Sequence, residues 1–201
     1  MKTSLAILAL SLAAFATSGA ATLGPDVAVM DIQVGKEKKT QQVVLALYDE
    51  QSPLTVANFK LLCKKKFYNG LRFHRAFPST LVQTGDPKSR WGDSDRSGTG
   101  GPGYTLTPEI GGKNVRGAVV MSRLPDTINP SKASNGSQFY VCLTSLPKLD
   151  GKYTVFGEVL EGLDVLDYIS NQPTDSNDFP LAKIVIKSIT ISPRYAQTAR
   201  Q

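Results

Sequence analysis

The strongest constraint on the fold is the way branched apolar residues are parcelled into short runs. Val27-Ala28-Val29-Met30-Asp31-Ile32 and Val43-Val44-Leu45-Ala46-Leu47-Tyr48 are each of strand length, and the polar Gly35-Lys36-Glu37-Lys38-Lys39-Thr40 between them reads as a solvated hairpin loop. Runs of the same kind fall at residues 115–121, 138–143, 154–159 and 183–191, while residues 70–85 read as two strands broken by a turn at Pro78-Ser79. That makes about eight strands. Two segments carry helical spacing instead. Val56, Phe59, Leu62 and Cys63 recur on one face after Ser52-Pro53, with the serine placed as N-cap and the proline in the first turn, where its missing N–H costs nothing. Lys64-Lys65-Lys66 closes that helix and complements its dipole. Residues 162–170 form a shorter one, with Leu163, Leu166 and Ile169 on one side and Asp164 and Asp167 on the other. No unit repeats. The pattern fits a closed antiparallel barrel capped by the helices, which leaves no free edge, or a sandwich.

Residues 1–20 stand apart from the fold. Met1-Lys2 is a short basic start, an apolar run follows from Leu5 to Ala16, and Ser18-Gly19-Ala20 supplies small residues for cleavage, the three-part form of a secretory signal peptide. The run is too short to span a bilayer, and no cysteine follows the small residues to take a lipid. The expectation is therefore an exported protein, periplasmic or extracellular, with no membrane attachment after signal removal. Of the 23 Lys and Arg only Lys2 lies in the leader, so 22 basic residues face 17 acidic ones, a net of +5. This mild excess, with the lysine run explained by the helix end, gives no reason to expect a nucleic-acid partner.

Roughly 180 residues remain, enough for one domain whose core needs no disulfide staple. Cys63 and Cys142 sit in apolar segments, and two readings stand: a pair of buried thiols, or a bridge formed in an oxidising compartment. Two cysteines and one histidine make no zinc pattern, so no metal is expected, nor any cofactor. Gly98-Thr99-Gly100-Gly101-Pro102-Gly103 lacks the lysine and hydroxyl pair of a phosphate loop and reads as a tight turn. Asn135-Gly136-Ser137 has the form of a glycosylation acceptor and is read as turn chemistry. Residues 193–201 show no apolar face and are expected to be a frayed tail.

Three motifs carry the chemistry. The first, Phe73-His74-Arg75-Ala76-Phe77-Pro78-Ser79-Thr80-Leu81-Val82-Gln83-Thr84-Gly85-Asp86, sets an arginine among apolar residues and follows it with a glutamine. A guanidinium there is costly to desolvate unless something accepts its donors, and a substrate is one such acceptor. Asn135-Gly136-Ser137-Gln138-Phe139-Tyr140-Val141 and Leu149-Asp150-Gly151-Lys152-Tyr153-Thr154-Val155-Phe156-Gly157 complete the set. In this order and spacing the three resemble the signature of cyclophilins, the cyclophilin-type peptidyl-prolyl isomerases, over about residues 25 to 192. The resemblance implies a mainly β domain built as a closed eight-stranded antiparallel barrel capped by two α-helices. It also implies a monomer acting on proline-containing polypeptides without a cofactor.

Rotation about the bond before proline is opposed by about 18 to 20 kcal/mol of lost conjugation, and no nucleophile or metal is needed to speed it. An arginine aimed at the proline nitrogen helps, because that nitrogen accepts a hydrogen bond only as conjugation lapses. The resemblance gives this catalytic role to Arg75. It assigns the substrate backbone and carbonyl to Gln83 and Gln138, the ring pocket to Leu81, Tyr140 and Leu149, the rim to Tyr153, and main-chain pairing with the peptide to Ser122 and Arg123. Several positions depart from the common pattern: Thr80 and Tyr140 replace phenylalanine, Lys148 the tryptophan of many eukaryotic members, Tyr153 a frequent histidine, and Arg123 an asparagine. Lost apolar contact at Thr80 predicts weaker turnover of short peptides, and Lys148 predicts poor inhibition by cyclosporin. His74, alternating with Arg75 on a strand, points away from the pocket and reads as a satisfied structural histidine. Gln138 reads equally as a buried amide serving its own barrel, and Arg75, without its motif, as a structural ion-pair partner. The loop at residues 124–134 is longer than in compact members and reads as an untethered surface insertion, or else as a carrier of partner specificity. Two competing functions remain: a proline-peptide binding module with little turnover, and a lipocalin-type barrel with an apolar interior cavity.

Overall fold

The computed structural model describes residues 21–37 and 39–194, so the leader at residues 1–20 and the tail from 195 lie outside the described residues. Eight strands and two helices follow in the order β1 (Asp26–Val34), β2 (Gln41–Leu47), α1 (Pro53–Lys64), β3 (Arg75–Phe77), β4 (Leu81–Thr84), β5 (Ala118–Met121), β6 (Phe139–Cys142), β7 (Val155–Glu161), α2 (Leu163–Ser170) and β8 (Ile184–Pro193). The strands form one antiparallel sheet in the order β3-β4-β6-β5-β7-β2-β1-β8. β8 runs on to Pro193, and the Arg194 amide donates to the Pro25 carbonyl at 2.8 Å, so pairing continues past the expected boundary.

The closed ladder expected from the sequence does not form; the sheet is an open, curled half-barrel ending at β3 and β8. An irregular segment just before β3 draws the edges together. Gly70 N donates to Ile186 O at 2.7 Å, Ile186 N to Leu71 O at 2.9 Å and Phe73 N to Ile184 O at 3.1 Å, around an isolated bridge between Arg72 and Val185. On its other side the segment is served by side chains. Ser89 Oγ accepts from Arg72 N at 2.9 Å and Thr84 Oγ1 donates to Arg72 O at 3.0 Å. Those hydroxyls satisfy groups that a ladder would otherwise take, which lets the chain stop short of a full strand.

Helix α1 buries Val56, Phe59, Leu62 and Cys63, the face its spacing indicates, and packs on β8. Its cap differs from expectation. Ser52 makes no side-chain cap; its hydroxyl donates to Val155 O at 2.9 Å. The free amides are met by a distant carboxylate, Glu109, whose Oε1 and Oε2 accept from Leu54 N at 2.9 Å and Thr55 N at 2.8 Å. A charge at that position also faces the positive end of the dipole.

Within the curl, Phe59, Tyr68, Phe139 and Phe156 interlock at ring-centroid separations of 5.4 to 6.1 Å. They are fully buried with Met30, Ile32, Leu45 and Leu47, so the interior is filled with side chains and the lipocalin-type cavity is ruled out. Cys63 belongs to this inner core and Cys142 to a second cluster on the outer face; both are free thiols and no bridge joins them. The loop at residues 124–134 is tethered, contrary to the untethered reading. Leu106 and Ser134 exchange backbone bonds of 3.0 and 2.9 Å, Asn135 N donates to Ser122 O at 2.8 Å, and the Asn129 side chain spans the turn to Ala133 O at 2.8 Å.

Candidate active site

Register places the candidate residues in rows. Because residues opposite one another project on the same face of a sheet, the pairings Arg75↔Gln83, Gln83↔Tyr140, Val120↔Tyr140 and Val120↔Val155 form one lateral row, and Phe77↔Leu81↔Cys142 the next. The intervening row, Ala76, Val82, Val141 and Val119, belongs to the inner core, so the other two rows face outward. There Ala118, Val120, Tyr140, Cys142 and Val155 make a second apolar cluster, against which Leu81, Leu149 and Tyr153 pack. The ring-pocket residues named from sequence thus meet in one place, with Arg75 at the end of the row.

Arg75 is 45 % exposed. Its guanidinium lies 5.0 Å from the Phe77 ring centroid, and its ion-pair partner among the described residues is Asp178, Nη2 to Oδ2 3.6 Å. At that length the pair is a loose surface contact, which leaves the donors usable. Beside it Gln83 is buried and its Nε2 donates to Gln138 Oε1 at 2.8 Å and to Ser122 Oγ at 3.2 Å. Gln138, 2 % exposed, spends its own Nε2 on Gly98 O at 3.0 Å and Gly100 O at 2.7 Å. This geometry favours the alternative in which Gln138 serves the barrel: it orients Gln83 and ties down the glycine turn. Gly100 N in turn donates to Asp86 Oδ2 at 3.0 Å.

Tyr140 is 5 % exposed, and its hydroxyl, absent from phenylalanine, donates to Asn114 Oδ1 at 3.0 Å. Asn114 is held by Asp150, whose Oδ1 accepts from Asn114 N at 2.8 Å and Nδ2 at 3.1 Å. Those two bonds, then the nearby Lys113, hold the Asp150 carboxyl below its ordinary range. Tyr153 packs edge-on to Tyr140 at 5.9 Å. Arg123 caps it: the guanidinium sits 4.6 Å from the Tyr153 centroid, Nε donates to Lys152 O at 2.9 Å, and Nη1 donates to Leu124 O at 2.9 Å and pairs with Asp126 Oδ1 at 2.6 Å. Only 4 % of its side chain is exposed. Ser122 has its own main chain engaged, N to Gln138 O at 2.9 Å and O from Asn135 N at 2.8 Å. Thr80 is turned into its own turn, its hydroxyl donating to Pro78 O at 2.9 Å, and Lys148 is exposed in the turn Pro147–Leu149.

His74 is buried on the side away from Arg75, but it is poorly satisfied: neither ring nitrogen has a partner in good hydrogen-bond geometry, and only weaker polar contacts with the Gln138 side chain and the Arg72 main chain serve it. Burial pushes its pKa from 6.5 down to about 4, outweighing the pull of Asp86 and the neighbouring Gln138. Burial also raises both thiols to about 12, which makes them inert. No group of three or more His, Cys, Asp or Glu able to hold a metal occurs among the described residues. Asn114, Asp178 and Asp126 were not named from sequence. Each is polar and distant or loop-borne, and the one available signal was Tyr140 itself, whose hydroxyl demands a buried partner.

Comparison with known proteins bears on the family and the fold. The family model for the cyclophilin type peptidyl-prolyl cis-trans isomerase/CLD matches residues 29–191. A human peptidyl-prolyl cis-trans isomerase-like 3 is 37 % identical over 158 residues, covering 74 % of this chain and 89 % of that protein. A peptidyl-prolyl cis-trans isomerase-like 2 of Gibberella zeae is also 37 % identical over 158 residues, but these make up only 26 % of its length. A cyclophilin type peptidyl-prolyl cis-trans isomerase of Cryptosporidium parvum, solved in the presence of the dipeptide Ala-Pro, superposes with a TM-score of 0.66 at 28 % identity, covering 82 % of this chain and 99 % of that one.

Proposed function

The chain belongs to the cyclophilin-type peptidyl-prolyl cis-trans isomerases, and we propose that it speeds rotation about Xaa-Pro bonds by offering Arg75 to the proline nitrogen as conjugation is lost. The supporting observation is Arg75 itself: a half-exposed guanidinium in register with Gln83 and Tyr140, at the edge of an outward apolar cluster and held loosely by a 3.6 Å pair with Asp178 and by the Phe77 ring. One charge-assisted hydrogen bond is worth about 1.5 to 3 kcal/mol, one to two tenfold steps. The rest comes from the slot of Leu81, Tyr140, Leu149 and Tyr153, which grips the ring, and from Gln83 and the Arg123 main chain, which hold the flanking backbone. Gln138 acts through Gln83.

The leader-like residues 1–20 support a role in folding exported proteins, on prolines of exposed or unfolded segments. A binding module with little turnover is the second reading, favoured by the covered floor: Tyr140 lies under Tyr153, which in turn lies under Arg123. Exchange NMR on an Ala-Pro peptide, wild type beside Arg75→Ala, separates the two. Acceleration that falls at least tenfold in the variant supports catalysis. Peptide binding without acceleration in the wild type leaves the binding module.

A further inference from the structure

We propose that Arg123 determines specificity by receiving a substrate carboxylate beside the proline, in the place Asp126 holds in the free protein, so that acidic Xaa-Pro segments are preferred. This rests on reading the outward slot as the proline site. Arg123 reaches that slot through Tyr153, which packs on its floor residue Tyr140. With only 4 % of its side chain exposed, the guanidinium has lost most of its water and needs a counter-charge. Its partner is held differently. Asp126 stands three residues on, 59 % exposed, in the loop at residues 124–134, so its carboxylate lies on the solvent side of the pair.

The surroundings favour any carboxylate at that point. Hydrogen bonding from Arg123 comes first, with Lys132 and Lys152 adding their charge, and together they hold the Asp126 carboxyl below its usual range. Three cations therefore face one carboxylate. A peptide settling in the slot excludes the remaining water and strengthens these interactions. If it brings its own acid, one carboxylate replaces another. A neutral peptide either works around the Arg123–Asp126 pair or strips the cation of its partner.

The test is a Glu/Gln isosteric comparison. Dissociation constants and kcat/KM are measured for two peptide pairs, with the Glu or Gln directly before or directly after the proline, on wild type, Arg123→Asn and Asp126→Asn. In the wild type at low salt, at least one pair favours Glu by about tenfold. In Arg123→Asn the ratio falls to about one. In Asp126→Asn, where the native competitor is gone, affinity for the Glu peptide rises severalfold. A wild-type ratio near one for both pairs, a ratio that survives in Arg123→Asn, or unchanged Glu-peptide affinity in Asp126→Asn overturns the proposal. Because binding is read separately, Glu selectivity without turnover sinks the isomerase chemistry while supporting this assignment.

Discussion

Lowering the pH from 7 to 4 charges His74 in the unfolded chain before it charges the folded one. The ring is buried, and that desolvation drops its pKa from 6.5 to about 4. Above 6.5 both states are neutral and stability is complete. Between 6.5 and 4 the unfolded state binds a proton that the folded state refuses, so stability falls by about 1.4 kcal/mol per pH unit, roughly 3 kcal/mol in all. Below 4 both states are charged and this contribution is flat. The loss is a large part of the roughly 5 to 15 kcal/mol that holds a domain together. Asp126, Asp150 and Asp175 are depressed below their ordinary 3.8, so their stabilising effect is present above 3.8 and is lost only below the histidine window. Urea unfolding followed by far-UV circular dichroism is the assay, because Trp91 is exposed and its emission is a poor reporter of unfolding. The wild type should lose stability steadily from pH 6.5 to 4, and His74→Gln should be flat over the same span. A flat wild type, or an equal slope in the variant, refutes the assignment. Activity should hold over most of this range and fall only as the folded ring takes its proton near pH 4, since the ring adjoins Gly98, whose carbonyl holds Gln138 and through it Gln83.

Arg75→Ala should cut kcat/KM by about ten- to a hundredfold while the denaturation midpoint stays in place, because its surface pair contributes little; Asp178→Ala should keep the rate. Glu109→Gln removes the charge that caps α1 and should cost about 1 kcal/mol of stability in urea. With both thiols pushed up to about 12 by burial, a thiol reagent at pH 8 should label neither Cys63 nor Cys142 in native protein and both in urea; rapid native labelling would contradict their burial. Cyclosporin should inhibit poorly while Lys148 stands in place of the indole, and better in Lys148→Trp; nanomolar inhibition of the wild type would rule out that account.

What the sequence determined by itself was local or repetitive. Strands at residues 27–32 and 43–48, the buried face of α1 and its proline start follow from side-chain period and backbone restriction, which act within a few residues. Arg75, Leu81, Gln83, Tyr140, Leu149 and Tyr153 were legible because they lie in three motifs, and register then set most of them on one face. Tertiary structure decided the rest, where a buried or charged group takes its partner from whatever the fold brings near. Glu109 displaced Ser52 as the cap of α1 from 55 residues away. The Ser89 and Thr84 hydroxyls took the Arg72 backbone groups on the side away from β8, so the segment before β3 stops short of a full strand. Gln138 turned inward to the glycine loop, and Arg123 found Tyr153 and Asp126. Hydrogen-bond and charge satisfaction is settled by distance in space, and separation along the chain carries little information about it.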